Sequence, residues 1–317
     1  MGLDRPTHAA VPARSPAFSF GAADLMMIGV ALIWGAGFSV IKYTVGVFSP
    51  PAFNAVRTTL AAAILLGVLW ARGERLRDAG SDWPALVVLG VVGYFGYLFF
   101  FVAGIARTTA SNSSLLVAAM PVLVAALNGL LRIETVHPRA WLGVLASFSG
   151  IALIILGGGG GPAFGSHSLT GDVLTLAAAL AWAGFVVSAR PYLARRSALL
   201  VTTWAVGTSA VCLWLAALPS LGSVEWGRVP FAAWLGVAYG GGLGIAGAYL
   251  LWNLAAKRVG GTRVAVYSNL VTVIAVTIAA VTLGEAVTAL KVAGAVAVFG
   301  GIALTHWRAG SSKREPV

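Results

Sequence analysis

The sequence predicts an all-α integral membrane protein with ten transmembrane helices, arranged as two inverted repeats of five. Three observations predict this fold class: an apolar composition, ten apolar runs of membrane-spanning length, and an internal duplication. Of the 317 residues, 59% are hydrophobic, 10% are charged and 40 are glycine, with a mean hydropathy of +0.90. A soluble domain would not be so apolar, so we expect the chain to lie in a lipid bilayer.

Each predicted span is a run of roughly 20 apolar residues, the length that crosses the hydrocarbon core of a bilayer. Short polar or glycine-rich stretches separate these runs. The ten predicted spans are residues 25–45, 51–70, 84–105, 112–131, 141–157, 170–189, 199–219, 231–252, 264–283 and 290–306.

The duplication is visible at an offset of 151 residues. Residues 128–153 read NGLLRIETVHPRAWLGVLASFSGIAL, and residues 279–304 read AAVTLGEAVTALKVAGAVAVFGGIAL, so that Glu134 matches Glu285. Self-similarity of this kind indicates that one structural unit occurs twice.

A second match, at an offset of 148, aligns Trp34 with Trp182. Because each half holds an odd number of spans, the second half must cross the membrane upside down relative to the first. We therefore expect repeat 1 at residues 24–157 and repeat 2 at residues 170–306, joined by a glycine-rich outer linker at 158–169.

The basic residues predict the orientation of the chain. With a cytoplasmic N-terminus, 16 of the 21 lysines and arginines fall on the inner side, four on the outer side, and Arg57 alone inside a span. This asymmetry follows the positive-inside rule and puts both termini in the cytoplasm, with a disordered tail at 1–23 and a basic tail at 307–317. The net charge of +11 is spread over six segments, so nucleic-acid binding is not expected. Residues 1–23 hold no long apolar core, so a cleaved signal is not expected either.

Reactive side chains are sparse and peripheral. The single cysteine, Cys212, lies in an apolar span, and the acidic residues and histidines all fall in tails, loops or span boundaries. We therefore expect no catalytic residue, no metal and no cofactor. Because proton relays use titratable groups inside the bundle, we also expect a facilitator or a weakly coupled exchanger.

Several strings resemble the two EamA repeats of the drug/metabolite transporter superfamily across residues 24–306. They are ALIWGAGFSVIKYTVGVFSPPAFNAVRTTLAAAILL, ASNSSLLVAAMPVLVAALNGLL, GDVLTLAAALAWAGFVVSAR and LGEAVTALKVAGAVAVFGGIAL. The resemblance implies a ten-helix carrier of the bacterial inner membrane that exports small metabolites such as amino acids, and we expect it to act as a monomer, with a dimer as the alternative. Efflux of drugs or purine-like metabolites is the alternative substrate class. Outside transport, the alternatives are a membrane scaffold and an integral-membrane lipid enzyme.

The sequence departs from the family pattern at two places. Thr272 stands where the second repeat of the family usually has a proline, whereas the first repeat keeps Pro121. Ile133 replaces the glycine of the LGE motif that the second repeat keeps as Gly284. Since a proline kinks a helix and helps to open it, we expect the two halves to gate unequally.

Arg57 is the one charge predicted at depth, ~9 Å below the outer end of the second span at roughly 1.5 Å per residue. A buried guanidinium needs a partner, so we expect Arg57 to bind a substrate carboxylate or phosphate, together with Lys42 at the outer end of the first span. The alternative is that Arg57 snorkels to the interface or bonds to backbone carbonyls.

Aromatic side chains are the other candidate substrate contacts. Tyr94 and Tyr97 lie at helical spacing in the third span, and Tyr239 and Tyr249 lie on one helix face of the eighth. Trp34 and Trp182 lie at matching depth in the two repeats. Each joins an apolar ring to a polar group, which suits a cavity for a mixed solute. The alternative is packing against lipid and neighbouring helices.

Asn269, at depth in the ninth span, is the preferred polar substrate contact, with an inter-helix hydrogen bond as the alternative. Gly93 and Gly96 match Gly244 and Gly247 at the 151 offset, and we expect these glycines, together with Pro121, to act in gating or as hinges. Close helix approach is their alternative role.

Overall fold

The computed structural model describes residues 21–133, 138–157, 166–259 and 261–306, and every regular element within these ranges is a helix. Seven helical stretches here are long and apolar enough to cross a membrane. Three shorter apolar helices cover Trp141–Gly157, Tyr267–Leu283 and Ala289–Leu304. The all-helical membrane class predicted from composition is confirmed.

The helices of the first half follow the predicted spans closely. They are α1 (Ala22–Thr44), α2 (Pro50–Ala71), α3 (Trp83–Val88, π-helical Leu89–Phe95 and Gly96–Arg107), α4 (Ala110–Val117 and Met120–Leu130) and α5 (Pro138–Gly157). A 3₁₀ turn, Leu76–Asp82, precedes α3.

The second half repeats this pattern. Its helices are α6 (Ser166–Leu193), α7 (Ala198–Leu221), α8 (Phe231–Ala238, π-helical Tyr239–Gly247 and Ala248–Val259), α9 (Gly261–Leu283) and α10 (Ala289–His306), with a 3₁₀ turn at Trp226–Arg228. Glu134, residues 158–165 of the predicted linker and most of both predicted tails lie outside the described residues.

The two π-helical stretches occupy equivalent places in the repeats, since residue 89 plus the offset of 151 falls within Tyr239–Gly247. π-Helical stretches are rare and occur mostly at functional sites. The predicted hinge glycines Gly93, Gly244 and Gly247 lie inside these stretches, and Gly96 follows directly. Their role as hinges stays a prediction.

The helix α4 is interrupted, whereas its counterpart α9 is continuous. Residues 118 and 119 form a turn between the two pieces of α4, and Pro121 lies in the first turn of the second piece, where its missing N–H leaves no bond unmade. Helix α9 runs without a break through Thr272. The departure from the family pattern therefore coincides with a real difference between the halves.

Helices α5 and α10 pack at glycine-to-glycine distance. A Cβ built on Gly150 would lie 2.6 Å from the carbonyl oxygen of Gly294, and one built on Gly294 would lie 2.7 Å from that of Gly150. A Cβ built on Gly301 would likewise collide with the carbonyl oxygen of Gly143. Because an early residue of one helix meets a late residue of the other, the two helices run antiparallel.

The other main contacts come in matched pairs across the halves. Helix α1 packs on α8 and α9, while α6 packs on α3 and α4, and α2 packs on α7. Two segments predicted to lie on the inner side meet at one end, where Asp82 accepts hydrogen bonds of 2.8 Å from both Arg195 and Arg196.

Candidate functional site

Aromatic side chains from α1, α3, α6 and α8 form one connected group, the aromatic cluster. Its members are Trp34, Tyr94, Tyr97, Trp182, Phe185, Tyr249 and Trp252. The ring of Tyr249 lies 5.7 Å from that of Trp34 and 5.7 Å from that of Trp182. Trp34 and Trp182, which occupy equivalent positions in the two repeats, therefore both contact Tyr249.

The first half contributes Tyr94 and Tyr97 to the same group. Tyr97 lies 5.0 Å from the ring of Trp182, and Tyr94 lies 5.7 Å from it and 6.0 Å from Tyr249. The predictions of Trp34, Trp182, Tyr94, Tyr97 and Tyr249 thus converge on one place. Aromatic pairs at these separations contribute ~0.5–1.5 kcal/mol beyond the area they bury.

The indole of Trp34 is also fixed by the π-helical stretch of α8. Its Nε1 donates a 2.9 Å hydrogen bond to the carbonyl oxygen of Gly244. A π-helical stretch displaces the regular ladder of backbone bonds, and here one of its carbonyls accepts from a side chain of the other half. This hydrogen bond joins the π-helical stretch of α8 directly to the aromatic cluster.

Two cluster members, Phe185 and Trp252, were missed by the sequence analysis. Phe185 follows Trp182 by three positions and Trp252 follows Tyr249 by three, which places each on the same helix face as a predicted site residue. That spacing was the available signal.

Tyr239 and Asn269 lie apart from the aromatic cluster. The hydroxyl of Tyr239 donates a 2.6 Å hydrogen bond to the carbonyl oxygen of Ile33, which ties α8 to α1. Asn269 is half-buried on α9 and makes no hydrogen bond within the described residues. The proposed substrate roles of both remain predictions.

Arg57 is buried in α2, with only 3% of its surface exposed. Its Nε donates a 2.9 Å hydrogen bond to Oδ1 of Asn54, and its Cζ lies 5.2 Å from the ring centre of Phe53. Its Nη2 has no hydrogen-bond partner within the described residues, although the phenols of Tyr94 and Tyr97 lie within electrostatic range. The guanidinium thus neither snorkels to the surface nor bonds to a described backbone carbonyl.

Asn54 holds this arginine and was not predicted from the sequence. It is 1% exposed, and its Nδ2 donates a 2.7 Å hydrogen bond to the carbonyl oxygen of Leu98 on α3. Its place one turn before Arg57 was the only sequence signal. On the other side, the glycines of α8 let its π-helical stretch pack directly on Arg57, because a Cβ at Gly240 would lie 3.2 Å from Cδ of Arg57.

Lys42 does not join Arg57, contrary to the predicted pairing. Its Nζ donates to the carbonyl oxygens of Ile105 at 2.9 Å, Ala106 at 3.3 Å and Thr108 at 2.6 Å. These carbonyls end α3 and lack helical partners, so a lysine is a favourable cap. The sequence could not show this, because it depends on where a neighbouring helix ends.

A group of charged and polar residues, the outer cluster, joins the halves at the predicted outer end. It consists of Lys42, Thr108, Asn112, Asp172, Glu285 and Lys291. The carboxylate of Glu285 accepts from the backbone N–H groups of Ala110 at 2.7 Å and Ser111 at 2.8 Å, and so caps the first turn of α4.

Asp172 lies deeper than the sequence indicated. It is 1% exposed and accepts a 2.6 Å hydrogen bond from Thr108 Oγ1 and longer contacts from Asn112 Nδ2 at 3.4 and 3.5 Å. Lys291, also buried, lies within electrostatic range. Asp172 is therefore enclosed by the protein, as is Asp24, which is 2% exposed, although both lie near the predicted ends of their spans.

Two cavities flank the site. One of about 490 Å³ opens at the predicted inner end, between leucines and the basic side chains of Arg72, Arg196 and Arg258. A smaller one of about 130 Å³ lies on the other side, against Asn54, Phe99 and Arg107. In the described part of the chain, no three His, Cys, Asp or Glu side chains gather as metal ligands would.

Apolar helices in two matched halves, with an aromatic and basic site between them, define a multi-span membrane transporter. The sequence matches the EamA-like transporter family over residues 21–156 and 169–307. The chain belongs to this family, and the predicted resemblance is confirmed.

Three relatives give the family its range. The chain is 28% identical to the uncharacterized transporter YyaM of Bacillus subtilis (88% of this chain, 91% of the relative). It is 26% identical to a probable terminal-alkyne amino-acid exporter of Streptantibioticus cattleyicolor (91% and 95%). It is also 26% identical to the aromatic amino acid exporter YddG of Ancylobacter novellus (76% and 81%).

Proposed function

We propose that this transporter exports a small metabolite, an amino acid with an aromatic or other apolar side chain, by alternating access. The carrying observation is the aromatic cluster, in which Trp34 and Trp182 from opposite halves meet at Tyr249. A site made by both halves is exposed first to one side and then to the other as they move. Two relatives named as amino-acid exporters support this substrate class.

Arg57 supports an amino acid over a neutral drug or a purine-like metabolite. Its free Nη2 fits a carboxylate oxygen, while the neighbouring rings fit an apolar side chain. Drug or purine-like efflux would use the rings but would leave the guanidinium without a counter-ion, so it is the second candidate.

We propose ten transmembrane helices in two inverted repeats, within the bacterial inner membrane and with both termini cytoplasmic. Helices α5, α9 and α10 contain 20, 23 and 18 residues, which is sufficient to add three crossings to the seven longer stretches. The antiparallel α5–α10 contact and the matched helix pairs support inversion. The bacterial relatives support the location.

For coupling, we propose a facilitator or a weakly coupled exchanger. Within the described helices, the aromatic cluster and Arg57 have no carboxylate beside them. Two carboxylates are buried elsewhere: Asp172 belongs to the outer cluster and is held by Thr108, and Asp24 accepts a 2.9 Å hydrogen bond from the hydroxyl of Tyr267.

Efflux from proteoliposomes loaded with radiolabelled amino acids tests the function, with and without a pH gradient. We expect flux of L-phenylalanine, L-tryptophan or L-leucine that is insensitive to the gradient. Trp182→Ala should lower it at least ~tenfold, since aromatic anchors dominate such sites. Trp70→Ala, at a residue that is 63% exposed, is the matched control. Absence of flux for every amino acid would remove the substrate class, and gradient-driven flux would remove weak coupling.

A further inference from the structure

A buried positive charge in this protein has a hydrogen-bond partner but no counter-ion. Arg57 is 3% exposed, and the described residues offer its guanidinium the neutral amide of Asn54 and no carboxylate. Burying a charge without a compensating charge is strongly unfavourable. A ligand that brings one negative charge would remove this deficit.

Asn54 determines which guanidinium nitrogen is left for such a ligand. Its amide is fixed at both ends, with Oδ1 accepting from Arg57 Nε at 2.9 Å and Nδ2 donating to Leu98 O at 2.7 Å. The Nε edge is therefore occupied, and Nη2 is the buried donor without a partner.

Asn54 also lines the cavity of about 130 Å³ between α2 and α3, together with Phe99 and Arg107. The arginine is thus one side chain away from an opening on the predicted outer side. An aspartate at position 54 would be isosteric and could keep the bond to Nε, but it would neutralise the arginine from within the protein.

We propose that Asn54 is a specificity-determining residue that keeps Arg57 unneutralised, so that the carrier binds substrates through an ionised carboxylate group and rejects the corresponding neutral amides. The proposal rests on and deepens the function proposed above, since it names the charged group by which the substrate is held. Asn54 acts through Arg57, and is a positioning residue rather than a direct substrate contact.

Equilibrium binding to the full-length protein in nanodiscs tests this without requiring the native substrate. The probes are 3-phenylpropionate, which presents a ring and one carboxylate, and its neutral carboxamide. Wild type should bind the acid at least ~tenfold more tightly than the amide, as expected for a desolvated charge pair. Asn54→Asp should weaken acid binding at least ~tenfold and leave amide binding equal or stronger.

Two further variants separate specificity from damage to the fold. Asn54→Ala removes the hydrogen bond but adds no charge, so it should weaken acid binding while preserving the preference for acid over amide. Ser223→Asp adds the same charge in an exposed loop and should leave both affinities unchanged.

The proposal is overturned if wild type does not prefer the acid, or if Asn54→Asp retains that preference. These outcomes are independent of the transport assay. Acid-selective binding without amino-acid flux would refute the proposed function and leave this inference standing, whereas flux with unchanged selectivity in Asn54→Asp would do the reverse.

Discussion

The surroundings of Arg57 fix a single buried charge in one position. The side chain extends from α2, donates from Nε to Asn54, lies over the ring of Phe53 and has a buried Nη2 without a partner in the described residues. A tightly packed arginine of this kind loses little rotational freedom when it binds a carboxylate, because its geometry is already fixed.

We predict that Arg57→Gln lowers phenylalanine efflux from proteoliposomes at least ~tenfold, mainly through a higher KM, because the neutral amide no longer attracts a carboxylate. Its thermal stability should not fall, since the variant removes an uncompensated buried charge. Arg228→Gln is the matched control, because the side chain of Arg228 is exposed and pairs with Glu225 of the same loop. Equal loss in both variants would contradict the prediction.

For single residues, the sequence indicated most of the candidate site side chains but not all of the groups that hydrogen-bond to them. Trp34, Trp182 and the tyrosines of α3 could be predicted, because helical spacing and the internal match place them at similar depth. Asn54 and the role of Lys42 could not, since both depend on which backbone carbonyls a neighbouring helix presents. Those carbonyls are set by helix ends and rotations that hydropathy does not encode.

Among the helices, α3 and α6 meet where glycine leaves no room for a side chain. A Cβ at Gly93 would lie 2.7 Å from Cβ of Phe185, inside the π-helical stretch of α3. The sequence indicated the glycines but not the π-helical geometry, because no residue pattern in the sequence marks a change in the backbone hydrogen-bond spacing.

We predict that Gly93→Ala destabilises the protein by ~1–3 kcal/mol, the usual effect of overpacking, and reduces transport. Gly184→Ala, on α6, should be tolerated, because a Cβ there would meet nothing within 4 Å. Thermal unfolding of both variants in the same detergent is the measurement. A stable, fully active Gly93→Ala variant would show that this contact is not needed.

In the outer cluster, Glu285 stabilises the beginning of helix α4. Glu285→Gln should lower stability by ~1 kcal/mol, because a neutral amide caps the first turn of α4 less well than a carboxylate does. Glu225→Gln should have no measurable effect, since its ion pair with Arg228 is exposed to solvent. The unfolding temperatures of the two purified variants provide the comparison, and equal values would argue against a capping role.

For the molecule as a whole, charge distribution and contacts agree on which helix ends lie together. Arg195 and Arg196 meet Asp82 at one end, and Lys42 and Lys291 belong to the opposite end. The all-helical class and the positions of the long apolar helices could be predicted from the sequence, because membrane-spanning length is a simple physical requirement. Pro121 indicated a distortion in α4, but the sequence did not indicate the full interruption at residues 118 and 119.

We predict that Ser223 faces the outside and Ala194 the cytoplasm. Cys212 is the single cysteine of the chain, so Cys212→Ala provides a background for the variants Ser223→Cys and Ala194→Cys. In intact cells, a membrane-impermeant maleimide should label the first directly and the second only after permeabilisation. The opposite pattern would reverse the orientation.

The contact between α5 and α10 has a consequence for how such a molecule could originate. At the offset of 151 residues, Gly143 corresponds to Gly294 and Gly150 corresponds to Gly301. Gly150 contacts Gly294 and Gly143 contacts Gly301, so each of the two repeat positions contacts the other position in the opposite repeat. An isologous surface of this kind fits a separate copy as well as a covalent neighbour. If a single repeat inserted into the membrane in both orientations, two copies could already form this contact. Fusion of the two genes would then raise the effective concentration of the halves without requiring a new contact surface.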